Sequence, residues 1–155
     1  MQLNVKKTMM MLFGKSAEKS LSLKMYNILV KLVKEFKYLG VILDSKLSFS
    51  SQVDNAIGKA KRACSRISYL IKGRYGLPVK AGINLYKSLV RPHLEYGLPA
   101  WAKLKESDVM KLESTQGQCL KRVMGLFRSS SSEAVYSYEG EDKRIMQQRV
   151  CENLG

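Results

Sequence analysis

The chain has 155 residues, of which 45% are apolar, so it can form one modest core and is not a disordered tail. Its 27 Lys and Arg residues against 13 Asp and Glu give a formal charge of +14, which favours a polyanionic partner: nucleic acid first, an anionic membrane surface second. No segment reaches the roughly 20 apolar residues of a membrane-spanning helix, and Met1–Thr8 is too polar for a signal peptide, so we expect an intracellular protein of nucleus, cytoplasm or both.

Short apolar runs separated by turn signals predict strands over residues 3 to 43. The runs are Leu3–Val5, Met9–Phe13, Leu21–Met25, Ile28–Val33 and Phe36–Leu43. Gly14-Lys15-Ser16 and Tyr26-Asn27 supply turns between them. Around the second of these turns, polar and apolar residues alternate, with Lys24 and Lys31 outward, which predicts a hairpin with one solvated face.

Helical periodicity begins after Asp44. With Ser50 or Ser51 as the N-cap, apolar residues recur at spacings of three and four, which predicts an amphipathic helix that ends at Gly76. Its apolar stripe contains Val53, Ile57, Ala60, Cys64, Ile67 and Ile71.

Two more helices are predicted downstream. The second opens with Pro78 at its first position, and Pro92 stops or kinks it. Its expected buried residues are Val79, Ile83, Tyr86 and either Leu89 or Val90. The third is capped by Ser107 and ends at Gly125. Its expected stripe is Val109, Leu112, Cys119, Leu120 and Val123.

The remaining residues predict a connector at Arg128–Ser132 and two short helices, Glu133–Tyr138 and Lys143–Asn153. Strands followed by helices favour an α+β fold, with a small antiparallel β layer, a three-helix bundle and short C-terminal helices. The corresponding domains are residues 1–45, 46–128 and 129–155.

The positive charge is concentrated in the helical middle of the chain. Residues 46 to 128 hold 16 of the 27 basic residues and only 5 acidic ones. On the first helix, the basic residues off the apolar stripe are Lys59, Lys61, Arg62, Arg66, Lys72 and Arg74, and Asp54 is the only acid. Such an uncompensated row predicts contact with a phosphate backbone, although a merely solvated face is the alternative. Tyr69 and Tyr75 could stack on bases or lie in the core.

Five segments, in this order, resemble reverse transcriptases of non-LTR retrotransposons, the LINE or jockey-like class. They are Asn4-Val5-Lys6-Lys7-Thr8 with Met9–Phe13; Phe36-Lys37-Tyr38-Leu39-Gly40-Val41-Ile42-Leu43-Asp44; Lys59–Ala63; Leu85–Gly97 with Trp101; and Leu112-Glu113, Gln116 and Leu120–Arg122. The first is similar to the N-x-x-K-T palm strand of that family, and the second to its primer grip.

The resemblance implies that residues 1–45 are the end of a polymerase palm and residues 46–128 a thumb. It implies that Lys7 assists the departure of pyrophosphate and that Tyr38 and Gly40 grip the primer. It also implies that the thumb helix lies along the template–primer duplex. The residues expected to contact that duplex are Lys59, Arg62, Arg66, Lys72 and Arg74.

Catalytic residues are not expected in this chain. Nucleotidyl transfer uses two Mg²⁺ ions held by clustered aspartates, whereas Asp44, Asp54, Asp108 and Asp142 are isolated in sequence. The expectation is a non-catalytic reverse transcriptase fragment that has no cofactor of its own and binds an RNA–DNA or DNA duplex and the rest of the polymerase, but no membrane. The alternative is a stand-alone basic helical module that binds RNA, DNA or protein.

Cysteine and histidine add no further chemistry. Cys64, Cys119 and Cys151 lie far apart and form no Cys-x-x-Cys pair, which disfavours zinc sites and disulfide frameworks and predicts buried free thiols. His93 follows a proline between apolar residues and is expected in the core.

Overall fold

The computed structural model describes residues 4, 8–14, 22–72, 76–101, 104–127, 129–131 and 135–136, the side chain of Lys72 excepted. The chain forms two compact units, Met1–Gln52 and Val53–Gly155. Strands occupy the first unit and helices the second, so the predicted α+β class is confirmed.

Short strands pair two by two in the first unit. Strands β1 (Met9–Met10) and β4 (Lys31–Leu32) are parallel, whereas β2 (Lys24–Met25) and β3 (Ile28–Leu29) form an antiparallel hairpin. Tyr26 and Asn27, with φ of 48° and 61°, form the predicted turn of that hairpin. The parallel β1–β4 pair differs from the expected all-antiparallel layer, because β4 returns beside β1 instead of extending the hairpin.

The predicted strand over residues 36–43 is instead a second hairpin. Strand β5 (Glu35–Tyr38) pairs antiparallel with β6 (Val41–Asp44), in a register that places Tyr38 opposite Val41. Leu39 and Gly40 connect them with φ of 46° and 88°. Positive φ at both central residues is the geometry of a type I′ turn, whose twist matches that of the flanking strands. The continuous apolar run concealed this reversal.

Asp44 organises the segment between β6 and the first helix. Its carboxylate accepts hydrogen bonds from the Lys46, Ser48 and Phe49 amides at 2.9, 3.0 and 2.7 Å, and from the Ser48 hydroxyl at 3.1 Å. Burial alone would raise the pKa of Asp44, but these hydrogen bonds outweigh it and hold the pKa below its usual 3.8. Helix α1 (Ser50–Lys72) therefore starts from a turn that a carboxylate fixes.

The predicted N-cap of α1 is wrong. The helix already includes Ser50 and Ser51, so neither occupies the capping position. The Ser51 hydroxyl instead donates to Glu35 Oε1 at 2.7 Å, and Gln52 Oε1 accepts from the Ile42 amide at 3.0 Å. These two bonds attach the β5–β6 hairpin to the first turn of α1.

Substitution of Asp44 by alanine should weaken this turn. We expect a loss of about 1–3 kcal/mol in the local opening free energy of β6, because several amides lose a charged acceptor. A carboxyl group with a lowered pKa stabilises the fold above its unfolded pKa, and that stabilisation is lost as pH falls through the folded pKa. Hydrogen exchange at pH 7 and pH 3 measures this. The variant's deficit should shrink at pH 3, and an equal deficit at both values would contradict the account.

The second unit is built around the apolar stripe of α1. Of the predicted stripe, Val53, Ala60, Cys64 and Ile67 are buried, while Ile57 and Ile71 are half-buried. Gly82, in the next helix, would place a Cβ only 3.1 Å from side-chain atoms of both Ile71 and Val123. A glycine there permits α1 and the last helix to approach the second helix closely.

The second helix continues past Pro92. Helix α2 (Val79–Leu85), a π-helical segment (Tyr86–Val90) and α3 (Arg91–Glu95) follow one another without a break. Pro92 does not stop the helix. The π-helical turn before it is wider than an α-turn and accommodates a residue that lacks an N–H. Pro78 lies one position before the helix, at the N-cap and not the predicted first position.

Burial along this helix agrees with the prediction in part. Ile83, Tyr86 and Val90 are buried, so Val90 and not Leu89 is the core residue of that pair. Val79 is exposed because it lies in the first turn, beyond the packed part of the helix. His93 is also exposed, which overturns its placement in the core; the neighbouring Leu94 is buried instead.

The last long helix is α4 (Glu106–Val123). It begins before Ser107, so the predicted cap is wrong; Lys105 holds that position without a side-chain hydrogen bond. Gly125 ends it as predicted, with φ of 71° and hydrogen bonds from Leu126 N to Lys121 O and from Gly125 N to Arg122 O, a Schellman motif. Leu112, Cys119, Leu120 and Val123 are buried and Val109 is half-buried.

Trp101 follows a 3₁₀ turn (Leu98–Ala100) and is fully buried, with its indole N–H donating to Tyr96 O at 2.9 Å. Farther along, Val135 and Tyr136 are helical and buried. The other residues of the two predicted C-terminal helices, 133–138 and 143–153, lie outside the described residues.

Candidate nucleic-acid interface

The β5–β6 hairpin presents its tip to solvent. All four residues of β5 are exposed, and the Tyr38 side chain, next to the turn, is 59% exposed. Gly40 has φ of 88°, which side chains with a Cβ rarely adopt, so glycine suits this turn. The hairpin therefore offers a phenol ring beside bare backbone, and Gln52 and Ser51 hold its base.

A row of three cations follows one side of α1. Lys59, Arg62 and Arg66 are separated by three and four residues, which places them on one helical face. Arg62 and Arg66 are exposed, and Lys59 is half-buried. A Cβ on Gly58 would lie 3.5 Å from Arg62 Nη1, so the arginine side chain folds back over the preceding turn.

These three cations have no acidic partner among the described residues. The ion pairs described in the second unit join Arg91 to Glu95 at 2.9 Å and Lys111 to Asp108 at 2.7 Å, and neither includes a residue of the row. The positive charge of Lys59, Arg62 and Arg66 is therefore available to an external anion. Tyr69, three residues beyond Arg66, is 82% exposed, which favours stacking over the core position.

The remaining predicted site residues cannot be located in the same way. Lys7 and Arg74 lie outside the described residues, and only the backbone of Lys72 is described. Lys61 lies on the other flank of α1, beside α4, where it lines a cleft with Arg122 and Cys64. That cleft was not predictable from the sequence, because the residues that form it are about 55 positions apart.

The described carboxylates do not fit a two-metal centre. Asp44 already accepts four hydrogen bonds, Asp108 is paired with Lys111, and Asp54 lies near the same lysine. Within the described part of the chain, no three His, Cys, Asp or Glu residues lie together. Catalytic metal ions are therefore not assigned to these residues.

Comparison with known proteins identifies the relatives of this chain. It is 34% identical over 97 residues to the "RNA-directed DNA polymerase from mobile element jockey" of Drosophila melanogaster. These 97 residues are 63% of this chain and 11% of that protein. It is 26% identical over 89 residues to the "Probable RNA-directed DNA polymerase from transposon X-element" of the same species, 57% of this chain and 10% of that protein. The jockey polymerase of Drosophila funebris is 26% identical over 91 residues, 59% of this chain and 10% of that protein.

The chain is a homologue of non-LTR retrotransposon RNA-directed DNA polymerases. It spans about a tenth of the length of these polymerases. No family model and no solved structure matches it significantly. Among the described residues, no helix is long and apolar enough to cross a membrane. The resemblance read from the sequence motifs is thus confirmed at the level of the polymerase family.

Proposed function

We propose that this chain is the end of the palm (residues 1–45), the thumb (46–128) and a following segment (129–155) of a retrotransposon reverse transcriptase, and that it holds template–primer nucleic acid. The homology to RNA-directed DNA polymerases supports the parentage. The observation that carries the holding function is the unpaired row of Lys59, Arg62 and Arg66 on an exposed face of α1.

Phosphate contacts by such a row suit a polymerase thumb. A duplex that slides through an enzyme must be bound through its shape and phosphates and not through its bases. Lysine and arginine without acidic neighbours provide binding of this kind, and Tyr69 adds a flat surface for a sugar or base. Lys72 and Arg74 extend the proposed contact surface by sequence position.

The β5–β6 hairpin is the proposed primer grip. Its exposed Tyr38 and the positive-φ Gly40 would bring a phenol and bare backbone to the primer end. Lys7 is the proposed accessory residue for pyrophosphate departure. Nucleotide addition itself, with Mg²⁺, belongs in this proposal to carboxylates of the complete polymerase.

The remainder of the polymerase is the proposed protein partner. Apolar side chains are exposed throughout the described part of the first unit, including Leu23, Ile28, Leu29 and Leu32. An accumulation of exposed apolar side chains is typical of a surface that packs against another protein segment. We propose that the chain is located with its nucleic acid, in the nucleus, the cytoplasm or both.

A salt titration of duplex binding tests this proposal. Phosphate contacts by Lys59, Arg62 and Arg66 predict a slope of about −2.7 for log affinity against log salt, so affinity should fall about 40-fold between 50 and 200 mM salt. Contacts by Lys72 and Arg74 would make the slope steeper. Fluorescence anisotropy with a labelled RNA–DNA hybrid and the full chain measures it. A flat salt response, or no binding at 50 mM salt, would refute duplex holding. Primer extension by the purified chain with Mg²⁺ would refute the non-catalytic assignment separately.

A further inference from the structure

A cleft in the second unit contains two cysteines. It has a volume of about 950 Å³ and lies between α1 and α4. Lys61, Cys64 and Ser65 line it from α1, and Cys119 and Arg122 from α4. It lies on the flank of α1 away from the row of Lys59, Arg62 and Arg66, so the proposed duplex contacts do not use it.

Cys64 and Cys119 contact each other at the bottom of this cleft. Their residues are only 1% and 3% exposed, and both are free thiols. The Cys64 thiol donates a hydrogen bond to Cys119 O at 3.6 Å, and the two cysteine side chains influence each other's pKa. Because the Cys64 sulfur lies against the Cys119 backbone, the two cysteines face each other across the packed helices α1 and α4.

The surroundings distinguish the two sulfur atoms. The hydrogen bond with Cys119 lowers the pKa of Cys64 to about 7, against the opposing effect of burial, and the nearby positive charge of Arg122 contributes. Arg122 is held there by a hydrogen bond from its Nη1 to Ser65 Oγ at 3.3 Å. The pKa of Cys119 is raised, because its thiol donates to Cys64 and is buried.

The charged groups around the pair are mostly cationic. They are Lys61 from α1 and Glu113, Lys121 and Arg122 from α4. The titratable Tyr136, from beyond α4, also lines the cleft. The lowered pKa of Cys64 and the raised pKa of Cys119 favour Cys64 as the sulfur that ionises first. One activated thiolate beside one protonated thiol is the arrangement of an attacking and a resolving cysteine.

We propose that Cys64 and Cys119 are a peroxide-sensitive pair that closes reversibly into a disulfide between α1 and α4. The Cys64 thiolate attacks one oxygen of hydrogen peroxide, the O–O bond breaks, and hydroxide leaves, giving a sulfenic acid at Cys64. Cys119 then forms the S–S bond, and its proton and the sulfenic hydroxyl leave as water. The peroxide is reduced, the two thiols are oxidised, and a thiol reductant reverses the change.

Oxidation mapping of the full chain tests this inference. The chain carrying Cys151→Ser is treated with hydrogen peroxide, alkylated and digested without reduction, and its peptides are identified by mass spectrometry. We expect a cross-linked peptide pair containing Cys64 and Cys119, with the mass of two hydrogen atoms lost, that dithiothreitol separates. Its rate of formation should rise about tenfold from pH 6 to pH 8, as the Cys64 thiolate fraction rises.

A second variant separates the two steps. In Cys119→Ser/Cys151→Ser, peroxide should leave a sulfenic acid at Cys64 that dimedone traps, without any cross-link. In the Cys151→Ser chain, three results would each overturn the proposal: a persistent sulfenic or sulfinic acid at Cys64, a disulfide between two chains, or oxidation no faster at pH 8 than at pH 6. The mapping stands without the second variant if that variant fails to fold.

Discussion

Simultaneous replacement of Lys59, Arg62 and Arg66 by glutamine is expected to lower the affinity for an RNA–DNA duplex by about 100-fold at low salt. Each substitution removes one cation that has no acidic partner among the described residues, so no compensating contact is released. The salt slope should fall by about one for each residue. Glutamine keeps the aliphatic part of each side chain, so α1 should retain its packing.

A matched variant separates this effect from net charge. Lys46, Lys80 and Lys105 are exposed lysines outside α1, and their replacement by glutamine changes the formal charge equally. That variant should bind within about three-fold of the parent chain, because screened charges at a distance contribute little. Equal losses in the two variants would show that binding follows total charge and not the α1 row.

Replacement of Trp101 by alanine is expected to destabilise the second unit by about 3–5 kcal/mol. The indole is fully buried and donates its N–H to Tyr96 O, so alanine leaves both a large cavity and a missing donor. Because small domains are stable by only about 5–15 kcal/mol, this one change should remove much of the cooperative unfolding transition. Urea denaturation followed by far-ultraviolet circular dichroism measures it.

Phe127 offers an aromatic control close to the end of α4. Its side chain is 83% exposed, so Phe127→Ala should change the unfolding free energy by less than about 0.5 kcal/mol. Trp101→Phe should fall between the two, since it keeps an aromatic ring and loses the hydrogen bond to Tyr96. Similar urea midpoints of unfolding for Trp101→Ala and Phe127→Ala would contradict the expectation that the buried Trp101 stabilises the second unit.

Helix positions were predictable from the sequence because they depend on local periodicity. The spacing of Val53, Ala60, Cys64 and Ile67 located the buried face of α1, and Gly125 located the end of α4. Helix starts were less predictable. Asp44 caps the turn before α1 through hydrogen bonds to residues up to five positions away, which no single capping position reveals.

The row of cations was predictable from the sequence because it depends on α1 alone. The cleft was not predictable, because it depends on how α1 and α4 pack. Arg62 and Arg66 are exposed as the pattern of α1 requires, and Tyr69 is exposed although core burial was the more frequent expectation for an aromatic residue. The pairing of Cys64 with Cys119 is a property of how α1 and α4 pack, and their spacing in sequence carries no trace of it.

The π-helical segment makes the second helical region tolerant of a change in length at one place. A π-turn contains one residue more than the α-helical turn it replaces. Deletion of a single residue from 86–90 would convert the wide turn to a regular α-helical turn and keep the residues that follow, including the buried Leu94, on the same face of the helix. Gaps of one residue should thus occur among related polymerases at the exposed positions Ser88 and Leu89 more often than elsewhere in this helical region.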